Sequence, residues 1–150
     1  MKKYLDIGSG KGLVDSNLLV YAHDLESKFN ASAKSWLETT SLDGNLYISW
    51  QNILEFYSII TNPKRSSRPL KPKDAIEVVG TLQKSLEIIY PNRNSENFFL
   101  KILNKTKPRG AEIYDHYLAS VVLGNGLEVV YTLNIKDFAQ IPGIKAINPL

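Results

Sequence analysis

Cysteine is absent from the 150 residues. Disulfides, thiolate metal centres and a cysteine nucleophile are therefore excluded. Histidine is almost as scarce, with only His23 and His116, too few for a histidine-rich zinc site. No apolar run approaches the roughly 20 residues needed to cross a bilayer. The start, Met1-Lys2-Lys3, is basic but lacks the apolar stretch of a secretory signal. These absences lead us to expect a cytoplasmic protein with no membrane partner. Charge of one sign is not in large excess: 18 Lys and Arg face 15 Asp and Glu, a net +3. A mild basic balance is compatible with an anionic partner without demanding one.

What the chain does have is apolar content, 43% of residues, enough for one compact core at this length. The apolar positions sort into alternating short runs and helical faces. Gly12-Leu13-Val14 reads as a strand, as do 46–48, 86–90, 127–131 and, at the end, 145–147. Helices are expected over 29–42, 50–61, from Pro72 onward, from a cap at Asn94 or Ser95, and over 113–123. The helix from Pro72 carries Ala75, Ile76, Val79 and Leu82, and in the next we expect Phe98, Phe99, Ile102 and Leu103 to face inward. Residues 62–73 and 105–110 read as loops. Such alternation indicates an α/β fold, a parallel sheet covered on both faces. We expect one domain over 12–150 preceded by a leader, residues 1–11.

In open parallel sheets ligands sit beyond the carboxyl ends of the strands. Asp15 directly follows the first strand and is a candidate on that ground, although capping the next helix would also account for it. Glu55 lies within Ile53-Leu54-Glu55-Phe56-Tyr57, and Asp115 within Ile113-Tyr114-Asp115-His116-Tyr117. An acid inside an aromatic-rich helix is costly to bury without a partner. Either these acids lie on exposed faces, or they share a hard cation, which takes oxygen ligands. Periodicity does not decide between the two.

Taken in order, the segments resemble a known family. Val14-Asp15-Ser16-Asn17-Leu18-Leu19, Trp50-Gln51-Asn52-Ile53-Leu54-Glu55-Phe56, Thr61-Asn62-Pro63, Ile113-Tyr114-Asp115-His116-Tyr117-Leu118-Ala119 and Thr132-Leu133-Asn134-Ile135-Lys136-Asp137-Phe138 are similar to PIN-domain proteins, in particular VapC-type toxins of toxin–antitoxin pairs. The resemblance spans about Gly12 to Leu150. It implies a three-layer α/β/α sandwich, cleavage of RNA dependent on Mg²⁺ or Mn²⁺, a homodimer and a cognate antitoxin. It assigns the catalytic and metal-holding acids to Asp15, Glu55 and Asp115. The family's fourth position falls on Asn134, where relatives also carry Asp; Asp137 lies close enough to substitute. Asn17 and Thr132 match positions that support the ligands. A module that binds RNA or a protein partner without cutting is the alternative that Asn134 raises.

Two further features need a reading. Tyr4-Leu5-Asp6-Ile7-Gly8-Ser9-Gly10-Lys11-Gly12 is similar to the glycine-rich loop of S-adenosylmethionine-dependent methyltransferases, a distant third reading. It does not lead into a helix as such a loop must. It is not a phosphate-binding P-loop either, since Leu5 occupies the first glycine position and no Ser or Thr follows Lys11. Basic residues gather at Lys64, Arg65 and Arg68, and again up to Arg109. They are candidates for RNA phosphates, or simply solvated loops. Tyr57, Tyr114 and Tyr117 are expected to pack in the core, and His23 and His116 to be incidental.

Overall fold

A computed structural model describes residues 10–150. The leader and the start of the glycine-rich run, residues 1–9, lie outside the described residues. Five strands form one sheet: β1 (Gly12–Val14), β2 (Leu46–Ser49), β3 (Glu87–Ile89), β4 (Val129–Tyr131) and β5 (Lys145–Ile147). All pairings are parallel and the order is β3-β2-β1-β4-β5. Between them run α1 (Ser16–His23), α2 (Asn30–Ser41), α3 (Trp50–Ile60), α4 (Pro72–Ser85), α5 (Arg93–Thr106), α6 (Glu112–Gly124) and α7 (Ile135–Phe138).

Alternation along each strand divides the core in two. Leu13 and Val130 face one side with Ile102, Leu118, Val122 and Phe138 from α5, α6 and α7. Val14, Ile48 and Tyr131 face the other with Leu18, Ile53, Phe56 and Ala75 from α1, α3 and α4. The result is the α/β/α sandwich expected from the sequence. The chain leaves β1 toward β2 and β3, then crosses back to β4 on the other side of β1. The strand order therefore reverses between β1 and β4, which opens a crevice beyond their carboxyl ends. Gly12 lets these two strands meet: a Cβ there would lie 2.8 Å from Tyr131 and 2.9 Å from Val129.

Several expectations need correcting. α5 starts two or three residues earlier than expected, because Asn92 caps it. Its side chain accepts from Ser95 N–H while Ser95 Oγ donates to Asn92 O, and Ser95 Oγ also accepts from Asn92 N–H. Phe98 and Ile76 lie on exposed faces, at 37% and 63% exposure, because α5 and α4 bury only narrow stripes around Ile102 and Ala75. The short α7 was not foreseen. Four residues hold too little periodicity to announce a helix.

Candidate active site

The crevice between β1 and β4 is lined by the first residues past each strand. Asp15 continues the β1–β4 ladder, its N–H donating to Tyr131 O at 2.9 Å, and Thr132 continues the β4–β5 ladder in the same way to Ile147 O. The two side chains therefore stand side by side, and Thr132 Oγ1 donates to Asp15 Oδ2 at 2.8 Å. The other oxygen, Oδ1, accepts from Ser16 N–H at 2.8 Å. Asp15 is thus both the N-cap of α1 and part of the crevice; the two readings of this residue are compatible. Thr132 Oγ1 in turn accepts from Asn17 Nδ2 at 3.1 Å and from Asn134 N–H at 2.9 Å. Asn17 and Thr132 are therefore joined to Asp15 in one network. Asp15 and Thr132 are nearly or fully buried.

The other acids arrive from helices. Glu55 is on α3, and Ser16 Oγ donates to its Oε2 at 2.5 Å. Asp115 lies in the first turn of α6, half-buried, where a helix N-terminus favours negative charge. Burial pushes the Asp115 carboxyl up to about 7, and the charges of Asp137, Asp15 and Glu55 push the same way. Asp15 is also raised, by burial first and by the charge of Glu55, against the lowering hydrogen bonds of Thr132 and Ser16. Asp115 is therefore within electrostatic reach of Asp15, Glu55 and Asp137, the last carried by α7, and Asp15 within reach of Glu55. A cavity of about 190 Å³ beside Asp115 is walled by Glu112, Asp137, Lys136 and Gln140.

The donors suit a hard cation, since the carboxylates, hydroxyls and the Asn134 amide offer oxygen and no thiolate competes. Among the described residues none of these four acids forms an ion pair; the single pair is Arg68 with Glu26. Nor do three acids or histidines there already stand close enough to ligate one ion.

Other residues fall elsewhere. The Arg68 guanidinium is 3.4 Å from Glu26, in the loop beyond the end of α3. By helical rise, that loop starts about 10 Å past Glu55. Arg109 stands just before α6, its N–H bonded to Glu112 Oε2. His116 is buried with Nδ1 against Glu112 O at 2.7 Å, and His23 packs edge-on to Phe56. Tyr57 packs in the core as expected. Tyr114 and Tyr117 do not: they are 63% and 37% exposed, and with Trp50, Leu54 and Pro91 they line an apolar groove of about 560 Å³ that reaches Glu55. Helical spacing gave the side of α6 but not whether another element covers it. Sequence reading also missed Ser16; its place between Asp15 and Asn17 was the available signal. The described end of the glycine-rich run, Gly10 to Gly12, enters β1 at its amino end, opposite the acids.

Known proteins share this fold. Ribonuclease VapC24 of Mycobacterium tuberculosis is 22% identical over 128 residues, 85% of this chain and 88% of that one. VapBC2 from Rickettsia felis, solved bound to a DNA fragment from their promoter, superposes with a TM-score of 0.68 at 20% identity, covering 91% of this chain and 96% of that one. VapC20 of M. tuberculosis, a sarcin-ricin loop cleaving toxin, superposes at 0.63 with 11% identity, covering 89% and 98%. The family model of the PIN domain matches residues 12–144, from the first residue of β1 past all four acids, and the chain belongs to the PIN domain family.

Proposed function

We propose that this protein is a metal-dependent endoribonuclease, the toxin of a type II toxin–antitoxin pair, acting in the cytoplasm as a homodimer restrained by a cognate antitoxin. The observation that carries the reading is the network at the reversal of strand order, where Asp15 is bonded to Thr132 and Ser16, and Ser16 in turn to Glu55. Relatives named for ribonuclease activity and for toxin–antitoxin complexes support it. The domain that carries the activity is 12–150.

Bound Mg²⁺ or Mn²⁺ would supply a water of lowered pKa and positive charge for the phosphate. Asp15 and Asp115 hold that ion in our reading, directly or through water. Thr132 and Ser16 fix the Asp15 carboxylate so that little reorganisation is left for the moment of reaction. Glu55 ligates the ion or accepts a proton from the attacking water. Asn134 contributes a neutral oxygen and Asp137 a charged one on the α7 side. Lys64, Arg65, Arg68 and Arg109 are the candidate contacts to RNA phosphates.

The test is cleavage of single-stranded RNA by the full chain. Activity should vanish with a chelator and return with Mg²⁺ or Mn²⁺. Asp15→Ala should lower it by about 100-fold or more. Cleavage that survives chelation overturns the metal mechanism. An inactive parent that becomes a nuclease on Asn134→Asp identifies a binding module instead.

A further inference from the structure

Ser16 touches both acids that face each other across α1 and α3. Its N–H donates to Asp15 Oδ1 at 2.8 Å and its hydroxyl donates to Glu55 Oε2 at 2.5 Å. The residue is 5% exposed, in the first position of α1. Among the described residues Glu55 has no other hydrogen bond and no ion pair. A glutamate on an exposed stretch of helix ordinarily samples several rotamers. Here one buried hydroxyl selects the rotamer that turns the carboxylate toward Asp15. With Oε2 occupied by Ser16, Oε1 is the oxygen left without a hydrogen bond among the described residues.

From this geometry we infer that Ser16 is a positioning residue for the metal centre: it holds Glu55 in the rotamer that serves a divalent cation beside Asp15. The inference rests on the metal-nuclease reading above. A hydrogen-bonded partner behind a carboxylate ligand commonly changes metal affinity by about 10- to 100-fold. The hydroxyl lies 3.5 Å from Asp15 Oδ1 but 2.5 Å from Glu55 Oε2, so it acts chiefly through Glu55 and most of its effect must disappear when Glu55 is gone.

Mn²⁺ binding to the full chain, measured by titration calorimetry with folding checked by circular dichroism, tests this without reference to cleavage. Ser16→Ala should weaken Mn²⁺ binding by about 10-fold or more. Ser16→Thr, which keeps the hydroxyl, should bind close to the parent. In a Glu55→Ala background, Ser16→Ala should add much less than it costs in the parent. A Ser16→Ala variant that binds Mn²⁺ like the parent overturns the inference, as do losses that multiply in the double variant. If the parent itself takes up no Mn²⁺, the nuclease reading falls and this inference with it. Tight binding by the parent with an unaffected Ser16→Ala sinks this inference alone.

Discussion

Asp115 concentrates the electrostatics of the site. Its folded carboxyl titrates at about 7, against 3.8 when free. Between those values the folded state binds more protons than the unfolded chain, so without metal this group makes stability fall as pH rises through that window. Asp115→Asn carries no charge to confine. In chelator, its melting temperature should decline less over the window and exceed the parent's above pH 7. The expected gain is roughly 2–4 °C for each kcal/mol of repulsion relieved. Added Mg²⁺ should raise the parent's melting temperature and leave the variant nearly unchanged. RNA cleavage by the variant should drop by about 100-fold or more. Thermal melts across pH, with and without metal, decide: parallel profiles for parent and variant would show that burial and the neighbouring acids do not raise the Asp115 carboxyl.

Among the elements, legibility depended on how much of each signal was local. The strands around Leu13, Ile48 and Val130 were readable because short β-rich runs between turn residues have few alternatives. Asp15 was readable because it follows such a run. The meeting of Glu55 with Ser16 was not, since 39 residues separate them and only the packing of α1 on α3 joins them. Exposure of Tyr114 and Phe98 was hidden for the same reason: a helix pattern names an apolar face, not what lies over it. The two basic loops looked alike in sequence, yet they differ in structure. Arg68 shares its charge with Glu26, whereas Arg109 has no ion pair among the described residues and leads directly into the helix of Asp115. Arg109→Ala should therefore weaken RNA binding and make the salt dependence of log K shallower by about 0.7, the share of one phosphate contact on a single strand. Arg68→Ala should change that slope little. Salt titrations of RNA binding in the non-cleaving Asp115→Asn background measure both. Equal slopes for the two variants would remove Arg109 from the phosphate path.

At the scale of the molecule, the site lies at one end of the sheet and the leader joins at the other. Residues 10–12 enter the amino end of β1, while Asp15 leaves its carboxyl end. Among the described residues, one contact ties the end of the leader to the core: Tyr131 OH donates to Gly10 O at 2.6 Å, and Tyr131 is 1% exposed with its ring edge-on to Trp36 at 5.0 Å. Removing residues 1–11 leaves this buried hydroxyl without its acceptor, which costs on the order of 1–3 kcal/mol. Removing only residues 1–9 keeps Gly10 and spares that contact. We expect both truncations to cleave RNA within a few-fold of the full chain. The longer one should be the less stable in urea, and Tyr131→Phe should recover part of its loss by deleting the orphaned hydroxyl. Chemical denaturation of the three proteins, paired with cleavage rates, separates the effects. A folded 1–9 truncation that loses cleavage would place a working part of the site in the leader and move the domain boundary away from Gly12.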